Sequence, residues 1–259
     1  MIPSAARLAI APQQVQAGAV APPGELGGIA VAGCDTACAD RAAAVAIRGN
    51  ARPIGSPDGC PLDRLARRIE VLAVGGSTSG PQALSRLLDG LREAPRARPI
   101  LITQHMPPPS AATLAVQLTR AIGRPCTEAG DSEPVRDEGV YSAPGGLHML
   151  AEPGRHGGPA LLLSRDEPEN FCRPAVGPML RSVARTVGER RVAVILIGMG
   201  QDGADGCAPA RGAGGRVVVQ DEASSVASAM SGTVARPGLA DVALPVDKIA
   251  RPLCAALAR

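Results

Sequence analysis

Aromatic residues are almost absent from this 259-residue chain, which has no Trp, one Tyr and one Phe. Its core must be built from Ala, Val, Leu and Ile, and it lacks the aromatic platforms on which nucleic-acid bases stack. Excess charge is missing too, with 27 basic residues against 24 acidic ones. The basic residues are almost all Arg and are scattered among acids, so no basic stripe marks a nucleic-acid partner. No apolar run approaches the roughly 18 to 20 residues of a membrane span, which argues against membrane insertion. The stretch Arg7-Leu-Ala-Ile10 is cut by Pro12 and is too short for a signal-peptide core, so secretion is not expected. The seven cysteines (Cys34, Cys38, Cys60, Cys126, Cys172, Cys207 and Cys254) are odd in number and form no C-x-x-C pair, which fits a reducing cytoplasm. Cys34 and Cys38 read as zinc thiolates, but no second pair stands at usable spacing, and no metal or cofactor is expected.

Gly and Pro are plentiful, at 31 and 25 residues, without the period of a collagen. Many fall in residues 1–66, where Pro22-Pro23, Ala-Gly runs, Pro53, Pro57, Gly59 and Pro61 interrupt any sustained period of 2 or 3.6. This segment reads as a flexible, disordered leader in which only Arg41 to Ile47 suggests a helix. A folded domain over 67–259 is expected to follow. Ile69 to Val74 is a buried-strand run that ends in Gly75-Gly76, and Pro81 then opens a helix carrying Leu84, Leu87, Leu88 and Leu91. The alternation repeats. Ile100 to Thr103 is a strand and Ser110 to Ile122 a helix; Pro174 opens a helix ahead of the strand Val192 to Ile197. Ala204 to Ala213 is helical, Arg216 to Gln220 a strand, and Asp247 to Leu257 a closing helix. Tyr141 to Ser164, broken by Gly145-Gly146 and Gly157-Gly158-Pro159, reads as an antiparallel hairpin added to the sheet. The expected fold is α/β, with a doubly wound, mostly parallel sheet, helices on both faces, and the site at the carboxyl ends of the strands.

Three strand ends carry chemistry. Ser77 lies in Gly75-Gly-Ser-Thr-Ser-Gly80, His105 in Gln104-His-Met-Pro107, and Asp202 in Gly198-Met-Gly-Gln-Asp-Gly203. Parallel strands bring such loops together, and the three residue types complement one another. A Ser hydroxyl is a weak nucleophile until an imidazole takes its proton, and the imidazole needs a carboxylate to set its tautomer. Each residue also has a plainer reading. The Gly-rich turn suits phosphate, His105 suits a structural role, and Asp202 suits the N-cap of the helix starting at Ala204. The turn breaks the G-x-G-x-x-G and P-loop patterns, however, and the order Ser, His, Asp is not that of α/β-hydrolases. Of the other histidines, His156 is expected in an exposed turn and His148 in a structural place at the start of a hairpin strand. Met199, between two glycines, is expected to act through its backbone N–H. Because Asn caps about as well as Asp, Asp202→Asn is expected to leave stability nearly unchanged while turnover falls.

Taken in order, these pieces resemble the CheB-type chemotaxis receptor methylesterases from about Val71 to Leu257. They are Gly75-x-Ser-Thr-x-Gly80, Ile102-Thr-Gln-His-Met-Pro107, Ala143-Pro-Gly145 with His148-Met149, Arg173-Pro174, Gly198-Met-Gly-x-Asp-Gly-Ala204, and Gln220-x-Glu-Ala-Ser224. The resemblance implies a Ser77, His105, Asp202 triad in a serine hydrolase that cleaves γ-glutamyl methyl esters on the cytoplasmic helices of chemoreceptors. It also implies glutamine deamidation, with Thr78 and the loop around Met199 serving the oxyanion or the substrate. Ser79, the pair Phe171-Cys172, Gly177 and Ala229-Met-Ser231 depart from the family pattern. The phosphorylatable receiver domain of full-length members is not expected here, because residues 1–66 are too few and the one Lys is Lys248. Two other readings stand beside this one. The first is a catalytically degenerate paralogue that acts as a binding module for receptors or signalling partners. The second is a nucleotide site at the Gly75 to Gly80 turn, for which Asp89 and Glu93 are poorly placed as the ribose-binding acid.

Overall fold

Strand β1 (Val71–Gly76) is buried at every position and is the middle strand of the main sheet. The structure is a computed structural model that describes residues 69–77, 80–94, 98–155, 157–196, 202–221, 224 and 239–258. The expected leader, with Cys34, Cys38 and Cys60, lies outside the described residues, as do Thr78, Ser79, His156 and Met199.

The chain runs from β1 through α1 (Gly80–Gly90), β2 (Ile100–Gln104), α2 (Pro108–Ile122) and two three-residue strands, β3 (Cys126–Glu128) and β4 (Val140–Ser142). The pair β5 (His148–Pro153) and β6 (Pro159–Ser164) follows, then α3 (Val176–Val187), β7 (Arg191–Ile195), α4 (Ala204–Gly212) and β8 (Arg216–Gln220). Strand β9 (Val242–Leu244) and a last helix, α5 (Val246–Leu257), complete the described chain. Seven strands form a parallel sheet in the order β3-β4-β2-β1-β7-β8-β9.

Successive strand residues face opposite sides, so each strand feeds two cores. Leu72, Val74, Ile100, Ile102, Val192 and Val194 pack with α1, α2 and α5 through Leu84, Leu88, Leu118, Ile249 and Leu253. Val71, Ala73, Leu101, Ala193 and Val217 face the other way, toward Met179, Leu180 and Val183 of α3 and Cys207 of α4. A sheet covered on both faces explains why its strands read as continuous apolar runs.

The hairpin differs from the sequence expectation. Tyr141 belongs to β4, which pairs in parallel with β2, and the antiparallel pair begins only at His148. That pair forms a two-stranded sheet of its own instead of extending the main one. Helix α3 takes the place of a neighbouring strand. Ser182 Oγ accepts the Ala151 N–H at 2.9 Å, and Thr186 Oγ1 donates to the Ala151 carbonyl at 3.0 Å, satisfying backbone groups that another strand would otherwise pair.

From β1 the chain first builds outward on the β2 side and later returns to β7 on the opposite side. The topology therefore switches between β1 and β7, the place where open α/β sheets bind ligands.

Candidate active site

Ser77 follows β1 directly. A turn closed by the Gly80 N–H on the Ser77 carbonyl, at 2.7 Å, holds it. The glycines here serve packing. A Cβ on Gly76 would lie 2.6 Å from Gln104 Oε1, and one on Gly80 would lie 2.0 Å from the same atom, so only Gly lets the turn close over the Gln104 amide. Gln104 is buried and donates from Nε2 to the Ser77 carbonyl at 2.6 Å, fixing the turn from below. This role of Gln104 is not legible in the sequence. Its signal was a long polar side chain at the end of a buried strand.

His105 leaves the adjacent strand, with its N–H on the Gly76 carbonyl at 3.1 Å. Its Nδ1 lies 3.0 Å from Ser77 Oγ, and its Nε2 lies 2.6 Å from Asp202 Oδ2. The three side chains named from the sequence thus form one hydrogen-bonded line across the ends of β1, β2 and β7. Ser77 and Asp202 are buried and the imidazole is nearly so. A carboxylate only accepts, so Nε2 carries a proton, and in the neutral ring Nδ1 is left with a lone pair for the Ser77 hydroxyl. The ring is turned relative to serine-protease triads, where Nε2 faces the serine.

Asp202 is held from two sides. Its Oδ2 accepts the Val176 N–H at 2.5 Å as well as His105, and its Oδ1 accepts the N–H groups of Gly177 at 3.0 Å and Gly203 at 2.8 Å. The donors Val176 and Gly177 form the first turn of α3, whose dipole favours a negative charge there. Burial alone would push the Asp202 carboxyl up, but the His105 hydrogen bond, the Val176 and Gly177 N–H groups and the imidazole charge outweigh it and hold the carboxyl below its usual range. The N-cap reading of Asp202 is corrected by this geometry. The cap position of α4 is Gly203, with no side-chain cap bond, and Asp202 serves the N-terminus of α3 instead.

His148 has the structural place expected of it. It is buried at the start of β5, donates from Nε2 to the Glu167 carbonyl at 3.1 Å and accepts the Ala175 N–H on Nδ1 at 3.2 Å, anchoring the residue just before α3. The thiols nearby are poor nucleophiles. Burial, then the Asp202 charge, pushes Cys207 up to about 12 and raises Cys172 as well. Thr78 and Met199, expected to serve the oxyanion or the substrate, lie outside the described residues. The described arrangement holds what acyl transfer needs from side chains: a hydroxyl, an imidazole whose neutral form presents Nδ1 to it as the proton acceptor, and a buried carboxylate behind it.

Known proteins resemble this chain in sequence and in fold. Residues 72–253 match the family described as CheB methylesterase. A protein-glutamate methylesterase/protein-glutamine glutaminase of group 2 operon from Rhodospirillum centenum is 49% identical over 198 residues, covering 76% of this chain and 47% of that protein. A protein-glutamate methylesterase/protein-glutamine glutaminase from Azospirillum brasilense is 49% identical over 181 residues, covering 70% of this chain and 45% of that protein. The chain spans about half the length of the curated relatives it matches. The crystal structure of the Thermotoga maritima CheB methylesterase catalytic domain superposes with a TM-score of 0.68 at 32% identity, covering 73% of this chain and 99% of that one. With the family's pattern matched across most of its length and the fold shared with a solved catalytic domain, the chain belongs to the CheB methylesterase family.

Proposed function

We propose that this domain, within 67–259, is a serine hydrolase that removes methyl groups from glutamyl γ-methyl esters on the cytoplasmic helices of chemoreceptors. The hydrogen-bonded line from Ser77 through His105 to Asp202 carries this reading. Ser77 Oγ attacks the ester carbonyl while His105 Nδ1 takes its proton. Asp202 stabilises the imidazolium that forms, and Nδ1 returns the proton to the leaving methoxide, which departs as methanol. Water, activated by the same nitrogen, then releases the glutamyl carboxylate and frees the serine. A glutamine amide passes through the same steps with ammonia as the leaving group, in keeping with the names of the relatives. Thr78 and the Met199 backbone are assigned to the oxyanion or the substrate.

No helix among the described residues is long and apolar enough to cross a membrane, and the proposed place of action is the cytoplasm, on receptors that are themselves in the membrane. Nucleic acid has no part in the reading, given the near balance of charge. The test is methanol release from methylated receptor fragments by purified protein, beside Ser77→Ala. Release lost in the variant supports the assignment. Binding of the fragments without methanol release from the wild type would replace it with the binding-module reading.

A further inference from the structure

Phe171, the chain's single Phe, is fully exposed. It occupies a tight turn in which the Glu169 and Cys172 backbones exchange hydrogen bonds at 3.1 and 2.9 Å, with Asn170 at φ 49° and Phe171 at φ 63° between them. Two-residue turns of this hand favour Asn first and Gly second. A bulky side chain in the second place is an outlier that costs stability, and here the ring recovers nothing by burial. The turn is also firmly tied. Glu169 pairs with Arg181 of α3, Arg173 Nη1 donates to the Arg165 and Asp166 carbonyls at 3.0 and 3.1 Å, and the Arg173 carbonyl accepts the Gly146 N–H at 3.1 Å.

The turn borders the candidate site. The Asp202 charge reaches the thiol of the neighbouring Cys172. A Cβ on Gly177, whose N–H donates to Asp202, would lie 3.1 Å from Glu169 Oε2. Among the described residues no side chain covers the ring, and a strained, firmly tied, apolar and exposed residue beside the candidate site is placed to meet a binding partner.

We infer that Phe171 is a docking anchor that packs on an apolar side chain of the substrate helix, beside the glutamyl residue being hydrolysed. The inference rests on the proposed function for the identity of that helix. Phe171 acts on recognition, leaving proton transfer to Ser77 and His105. Its contact lowers KM for a helical substrate and does nothing for a small ester that has no helix.

The experiment compares wild type, Phe171→Ala, Phe171→Gly and Phe171→Tyr on methylated receptor fragments and on N-acetylglutamate γ-methyl ester. Fragment binding is measured separately in a Ser77→Ala background. The Ala and Gly variants are expected to raise KM for the fragment about tenfold with kcat little changed, to leave small-ester hydrolysis unaltered, and to weaken fragment binding by a similar factor. Phe171→Tyr restores both. Phe171→Gly is also expected to raise Tm, since Gly adopts the turn without strain. Unchanged fragment binding and KM in the Ala variant overturn the inference, as does a lower Tm in the Gly variant, which would make Phe171 structural. A wild type that releases no methanol, yet binds fragments through Phe171, refutes the proposed function and leaves the docking role standing. Variants that change only self-association would assign the residue to a second copy of this chain and overturn the inference.

Discussion

Asp202→Asn separates the geometry found here from the simple capping role, because both carboxylate oxygens are doubly engaged. If the new amide NH₂ takes the place of Oδ1, it faces the N–H groups of Gly177 and Gly203, two fixed donors with no acceptor. If it takes the place of Oδ2, it faces the Val176 N–H and His105 Nε2. The second placement leaves fewer clashes, because the imidazole can move its proton and accept from the amide. One buried donor, Val176 N–H, then loses its partner, at about 1–3 kcal/mol, and the charge that complements the first turn of α3 disappears, at about 0.3–2 kcal/mol. The variant should therefore unfold at a measurably lower urea concentration, contrary to the sequence expectation of nearly unchanged stability. Its His105 would carry the proton on Nδ1, facing Ser77, where it cannot accept the hydroxyl proton. The equivalent tautomer reversal in a serine protease lowers kcat about 10⁴-fold, and a loss of that order is expected in methanol release. Nitrogen chemical shifts of the His105 ring report the tautomer directly. An Asn variant with wild-type stability and more than a tenth of wild-type turnover would refute this account of Asp202.

Three further outcomes follow from the same contacts. The native Asp202 carboxyl lies below its unfolded value of about 3.9, so its contribution to stability is complete above about pH 4 and is lost as pH falls through the lowered native value. Urea midpoints at pH 6 and pH 3 should differ less in Asp202→Asn than in the wild type, and an equal difference would contradict the assignment. Gly80→Ala drives a methyl to 2.0 Å from Gln104 Oε1 and should cut methanol release sharply, with partial recovery on adding Gln104→Ala; purely additive losses would show that the two residues do not share the contact. The Cys207 thiol, buried and pushed up to about 12, should resist iodoacetamide at pH 8 until the protein unfolds, as read by mass spectrometry, and rapid native labelling would contradict its placement.

The central strands were legible because burial on both faces leaves a continuous apolar run with nothing to interrupt it, as in Val71 to Val74 and Val192 to Ile195. Ser77, His105 and Asp202 were legible as candidates for a related reason. Polar residues that follow such runs must sit at strand ends, and parallel strands gather those ends on one edge of the sheet. The strands β3, β4 and β9 were not legible, since three residues display no period and their membership depends on the strand alongside. The hairpin's separation from the main sheet was likewise decided by Ser182 and Thr186 of α3, which satisfy the backbone of Ala151 from more than thirty residues away in sequence. Sequence could name Asp202 as a carboxylate at a strand end, but its partners Val176 and Gly177 arrive from a different helix, 26 and 25 residues away. The same holds for Gln104, whose role exists only where Gly76 and Gly80 close over it. Residue type and local pattern are properties of a segment and travel with the sequence, whereas the direction of a hydrogen bond between segments is fixed only when packing sets one beside the other.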